Sequence, residues 1–277
     1  MKINKVIFAV NDSHYLDFWP TQAKICKEIL NIEPVLFHIT NENSDFYNDG
    51  HGLVKKIKKV DEINTGAQAA MGRMFFTKYF PEEVCLVADI DLISINRNYL
   101  QDQIKNFPSD SFIIYDSDAY NKKRPEADEY LKNEYLMGIK ELFCYHANAG
   151  KGKTFNKLLN TNCTFEEYIL RHQQIGNKDL FWGVDEYYFS KCILETNINI
   201  IKLKRGFTSP WIADKRIDRH RFPVNLEWQG EIEAQQRDGI YNFNNLKSDG
   251  IIDMNCPRPY SKYKGAIEEA ANIILNK

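Results

Sequence analysis

Residues 84–96, VCLVADIDLISIN, constrain the fold more than any other stretch of the chain. Val84 to Ala88 are apolar or small, and apolar residues resume at Leu92. A short run of this kind reads as a strand buried on both faces, as found inside a parallel or mixed sheet. Asp89 and Asp91 stand in the middle of it, one residue apart. Buried charge is costly unless it is paired or binds a metal, so packing does not account for these two acids. Open α/β sheets bind ligands beyond the carboxyl ends of their strands, and a cation that carries a diphosphate takes hard oxygen ligands. The competing account is a solvated turn that holds two acids. The apolar strand in front of the pair argues for a site.

Bulk properties exclude several classes. A formal net charge of −2 gives no reason to expect a nucleic-acid or anionic-membrane partner. Six scattered cysteines without a CxxC pair argue against zinc and read as reduced thiols of a cytoplasmic protein. The apolar part of MKINKVIFAV is too short for a signal peptide, and no apolar run is long enough to span a membrane. With 277 residues the chain can bury a sizeable core as one α/β unit.

Along the chain, KVIFAV (residues 5–10) is a buried strand that ends at Asn11-Asp12-Ser13. Those residues either hold a base or ribose at the strand end or form an Asx turn before the next helix. Residues 17–30 have apolar residues at helical spacing, with Pro20 in the first turn. Residues 35–39 form the next strand, which makes a strand–helix–strand crossover. Residues 40–52 read as loop, 55–59 as a short strand and 66–80 as a helix that carries Arg73. Arg73 reaches a ligand or is simply solvated. Residues 98–107 are helical, and SFIIY (111–115) is a strand ending in a second acidic pair, Asp116 and Asp118. Residues 143–152, FCYHANAGKG, begin like a strand, and Gly150 and Gly152 permit close approach of a ligand to the backbone.

FWGVDEYYFSKCIL (181–194) is the second informative stretch. Trp182 and Gly183 offer an aromatic surface at a flexible turn. Asp185 and Glu186 then open a helix, where acids also suit the dipole. Residues 198–203 form a strand, and residues 205–222 gather Lys215, Arg216, Arg219, His220 and Arg221. Such a run can clamp phosphates, and His220 can bind a metal. Residues 230–255 look irregular, and 265–275 form an amphipathic C-terminal helix.

In this order, a strand with DxD, an FWG segment with acids opening a helix, and a late histidine among cations resemble the GT-A glycosyltransferases. The wording CLVADIDLISIN and FWGVDEYYF is similar to the β-1,4-galactosyltransferase type. The likeness spans about residues 84–222 and departs from that type in having only Val184 between Trp-Gly and the acid pair. It implies a Rossmann-like, mixed and mostly parallel α/β sheet flanked by helices. Residues 1–118 would then bind nucleotide and metal, and 119–277 the acceptor.

The resemblance also implies roles. Asp89 and Asp91 bind Mn²⁺ or Mg²⁺, with His220 completing the shell, and the ion bridges the diphosphate of a nucleotide-sugar donor. Asn11 and Asp12 lie near the nucleotide, Arg73 near the donor, and Lys215, Arg216 or Arg221 assist electrostatically. Trp182 and Gly183 face a glycan acceptor. Asp185 or Glu186 takes the acceptor proton if the reaction inverts, and positions the acceptor if it retains. Three rivals share parts of the pattern: a haloacid-dehalogenase-type phosphatase, a sugar-nucleotide pyrophosphorylase and a non-catalytic glycan-binding relative.

Overall fold

A computed structural model describes residues 1–11, 15–119, 139, 141–176, 184–205 and 215–276. Its strands are β1 (Lys5–Asn11), β2 (Glu33–Thr40), β3 (Tyr47–Asn48), β4 (Leu53–Lys58), β5 (Val84–Val87) and β6 (Leu92–Ser94). They continue as β7 (Phe112–Ile114), β8 (Asn148–Lys151), β9 (Ile200–Lys202), β10 (Arg216–Ile217) and β11 (Asp253–Asn255). The described helices are α1 (Trp19–Ile25), α2 (Thr65–Phe75), α3 (Arg97–Leu100), α4 (Gly152–Leu159), α5 (Phe165–Gly176), α6 (Val184–Glu195), α7 (Gln229–Asp238) and α8 (Tyr260–Leu275).

Eight strands form one sheet in the order β3-β4-β2-β1-β5-β8-β7-β9. β1 runs parallel to β2 and β5, β4 parallel to β2, and β7 parallel to β9. β8 is antiparallel to both its neighbours, and β3 antiparallel to β4. The sheet is therefore mixed and mostly parallel, as the apolar runs predict. Alternate residues of a strand point to opposite faces. Val6, Phe8 and Val10 meet Trp19 and Ala23 of α1 and Ile267 and Ile274 of α8. Ile7, Val35 and Phe37 meet Met71 and Met74 of α2, with Phe155, Tyr168 and Phe189 continuing that layer. Both faces are covered, which is why these strands are apolar without alternation. All six cysteines are free thiols. Among the described residues no helix is long and apolar enough to cross a membrane.

Four segments differ from the sequence reading. Residues 84–96 are not one strand. β5 belongs to the large sheet, and β6 belongs to a second, three-stranded sheet of order β10-β11-β6. Asp89-Ile90-Asp91 is the crossing between them. Residues 230–255, expected to be irregular, contain much of α7 and β11. Helix α7 buries none of its residues, so it carries no apolar stripe for the sequence to reveal. Residues 40–52, expected as loop, include the two-residue β3.

In residues 143–152 the strand lies at the end and not at the start. Gly150 and Gly152 serve packing there, not a ligand. A Cβ on Gly150 would stand 2.9 Å from the Phe112 ring, and one on Gly152 would stand 2.2 Å from the Thr77 carbonyl oxygen.

A buried ion network joins the two sheets. Asp253 of β11 pairs with Arg205 Nη1 at 2.6 Å and with Arg216 Nε at 2.8 Å. Asp116, just beyond β7, receives the same two arginines at 3.1 and 3.3 Å and the Tyr99 hydroxyl. Burial pushes the Asp253 carboxyl up, but Arg216 and Arg205 outweigh it and hold that group well below the usual carboxylate range. The network fixes the small sheet, and with it the crossing at Asp89–Asp91, against the β7–β9 side of the large sheet.

Candidate active site

The crossing is a tight turn. The Leu92 amide donates to the Asp89 carbonyl at 3.3 Å, and the Cys256 amide donates to the Asp91 carbonyl at 2.8 Å. The second bond continues the β6–β11 pairing and fixes Asp91 from behind. Asp91 is only 9% exposed. Burial pushes its carboxyl up, against the pull of Arg219.

Guanidinium groups from separate segments converge on the two acids. Arg73 reaches from α2 and pairs with Asp89. Its head group also lies 3.6 Å from Asp185 at the head of α6 and 4.8 Å from the centre of the Tyr145 ring. Arg219 Nη2 lies 3.7 Å from Asp91, and Arg258 Nε lies 3.4 Å from it. Arg219 also donates to the Asn255 side chain at 2.9 Å, and Arg258 donates to the Tyr15 hydroxyl.

His146 stands between this cluster and the buried network. Its Nδ1 is 4.0 Å from Asp89, and its Nε2 is 3.5 Å from Asp116. Arg216 Nη2 lies 3.2 Å from that same Nε2. Burial lowers the histidine pKa, with Asp116 acting in the opposite direction. Its Nδ1 also faces Cys144 Sγ at 2.6 Å.

Asn11 ends β1, and its amide donates to Thr65 Oγ1 at 2.9 Å, in the first turn of α2. Glu186 follows Asp185, whose Oδ1 accepts from the Glu186 amide at 3.0 Å. Lys215 is exposed and left-handed at φ 65°. Arg216 is engaged by Asp253 and Asp116 in the buried network, and Arg221 lies 5.3 Å from the Tyr241 ring centre. His220 Nε2 sits 3.0 Å from Asp238, so the described contacts tie it to α7 and not to Asp91. Asp12, Trp182 and Gly183 lie outside the described residues.

The structure therefore brings together Asp89, Asp91, Arg73 and Asp185. It adds Arg258 and His146, to which the sequence reading gave no role, and singles out Arg219 from the basic run. Arg219 was visible only as one cation in a basic run. Arg258 had a local signal, since it stands between Pro257 and Pro259 just after residues 251–256, IIDMNC.

A divalent ion has suitable ligands here. Among the described residues no group of three or more His, Cys, Asp or Glu side chains forms a metal cage. None is needed by an ion of the Mg²⁺ type, which takes one or two carboxylates from the protein and the rest from phosphate and water. Asp89 and Asp91 are two carboxylates on one turn that could serve such an ion, and the burial of Asp91 favours added positive charge beside it.

No family model matches the chain, and no curated protein matches it by sequence. Solved structures similar to it include the galactosyltransferase LgtC in complex with donor and acceptor sugar analogues, at 9% identity and a TM-score of 0.48. That match covers 98% of this chain and 95% of LgtC. Another is the apo form of the glycosyltransferase GlyE of Streptococcus pneumoniae TIGR4, at 10% identity and a TM-score of 0.49. It covers all of this chain but 63% of GlyE, so the chain spans less than two thirds of that structure. TM-scores below 0.5 assign no role to any residue, and the roles below come from this chain's own geometry.

Proposed function

We propose that the chain is a GT-A-type glycosyltransferase that moves a hexosyl group from a nucleotide-diphosphate sugar, a UDP-sugar in the first instance, to a hydroxyl of a glycan. One observation supports this reading above the others. Asp89 and Asp91, at the carboxyl end of a central strand, are surrounded by Arg73, Arg219 and Arg258 from three distant segments. Fixed carboxylates next to fixed guanidiniums suit a metal-bridged diphosphate, whose charge grows as the sugar leaves.

Each residue then has a task. Asp89 and Asp91 would hold Mn²⁺ or Mg²⁺, which when bound stabilises the departing diphosphate as a Lewis acid. Arg219 and Arg258 turn from Asp91 towards phosphate oxygens. Arg73 links Asp89 to Asp185, so Asp185 borders the donor sugar and orients it. Asp185 or Glu186, the two acids in the first turn of α6, takes the proton of the attacking hydroxyl if the sugar inverts. Asn11 faces the nucleotide from the end of β1.

Calorimetry with UDP tests the assignment. Wild-type protein is expected to bind UDP with Mn²⁺ present and at least tenfold more weakly without it, and Asp91→Asn to lose the Mn²⁺ effect while keeping its melting temperature. Equal UDP affinity in wild type and Asp91→Asn, both with Mn²⁺, would remove Asp91 from the site and the reading with it.

A further inference from the structure

Trp228 is 69% exposed, whereas Trp19 is 3% exposed. Tryptophan in water leaves a large apolar area unburied, and such rings characteristically serve surfaces where one face is dry and the edge is wet. Trp228 is also held in place. It caps α7, its carbonyl accepting from the Glu231 and Ile232 amides at 3.0 and 3.1 Å. Its ring lies over Gly230, where a Cβ would stand 3.2 Å from Cη2. Helix α7 is tied to the chain after Arg221, because Gln235 donates to the Phe222 carbonyl at 2.9 Å.

The helix begins beside the candidate site. Arg219 touches Asp91 at 3.7 Å through Nη2 and Glu231 at 3.8 Å through Nε. One planar guanidinium spans both contacts, so the Asp91 and Glu231 carboxylates lie within about 10 Å of each other. Trp228 precedes Glu231 by about one helical turn, roughly 5 Å of rise. The exposed ring thus stands about one helical turn before a carboxylate that shares Arg219 with Asp91.

We propose that Trp228 is the platform on which a pyranose ring of the acceptor glycan stacks, with Glu231 accepting a hydrogen bond from one of its hydroxyls. This rests on the transferase reading of the same site. A sugar fits the surface better than a membrane or a protein. Glu231, Glu233 and Asp238 outnumber Arg237 on α7, which disfavours an anionic bilayer. The other exposed apolar residue nearby, Ile240, lies past the far end of a ten-residue helix, roughly 15 Å away. The two do not form one patch.

The test uses methyl glycosides of glucose, galactose and N-acetylglucosamine as probes, read by saturation-transfer NMR and by tryptophan fluorescence. Wild type is expected to bind at least one of them. Trp228→Ala is expected to weaken it about tenfold or more, which is about 1.4 kcal/mol, and Trp228→Tyr to keep it within about threefold, since tyrosine keeps an aromatic face for stacking. UDP affinity with Mn²⁺ should be the same in wild type and Trp228→Ala. Absence of glycoside binding in wild type, equal binding in Trp228→Ala, or a loss of UDP affinity in that variant would each overturn the proposal. Glycoside binding through Trp228 in a protein that does not bind UDP would uphold the platform and sink the transferase reading instead.

Discussion

The guanidinium of Arg73 lies 3.6 Å from the carboxylate of Asp185 while pairing with Asp89. One cation from α2 therefore holds together the acid after β5 and the acid that opens α6. Without it, two carboxylates would face each other in a partly buried pocket, and like charges so placed repel strongly. We expect Arg73→Ala and Asp185→Asn each to lower donor turnover by on the order of a hundredfold. Because the two residues act through one contact, the double variant should lose clearly less than the product of the single effects. The expected coupling is on the order of 1 kcal/mol or more. Rates of UDP release from a UDP-hexose measure it, and strictly multiplicative losses would show that the two side chains act independently.

Asp253 yields a prediction about stability. Its carboxylate is almost fully buried and accepts from both Arg205 and Arg216. Asp253→Asn keeps the shape but leaves two buried guanidiniums with one fewer counter-charge. Removing one member of such a pair typically costs about 3–5 kcal/mol. Urea denaturation should show a loss of this size with an unchanged slope. A loss under about 1 kcal/mol would mean that water replaces the carboxylate.

The large sheet was legible because its strands are buried on both faces, so VIFAV and VCLV stand out as unbroken apolar runs. Asp89, Asp91 and Asp185 were legible because acids at a strand end or helix start need a reason to be there. The split of residues 84–96 between two sheets was not, since β6 is as apolar as β5 and only its pairing with β11 separates them. Helix α7 was hidden because it buries nothing. Arg216 and Arg219 have the same chemistry and lie three residues apart, yet one enters the Asp253 network and the other reaches Asp91. Residue type does not distinguish them. The direction of β10 and the turn after it does.

His172 on α5 is 1% exposed, between the rings of Tyr168 and Tyr188 at 4.3 Å each. Its Nδ1–H donates to the Tyr168 carbonyl at 2.7 Å. Burial pushes its pKa down to about 4 from the ordinary 6.5, against the pull of that carbonyl. Above pH 6.5 both folded and unfolded chains carry the neutral ring, so the histidine exacts no penalty. Between 6.5 and 4 the unfolded chain binds a proton that the folded chain excludes, and stability falls as pH falls. Below 4 both states are protonated and the loss is complete. Lowering the pH from 7 to 5 should therefore remove on the order of 2 kcal/mol through this residue. His172→Phe keeps an aromatic ring in the same slot and has no proton to gain. Its stability at pH 7 should be lower because the bond to the Tyr168 carbonyl is gone, but its fall from pH 7 to pH 5 should be smaller than that of wild type by about that amount. Equal falls in the two proteins, measured by urea titration, would show that the buried ring gains its proton without cost and that other groups set the acid sensitivity.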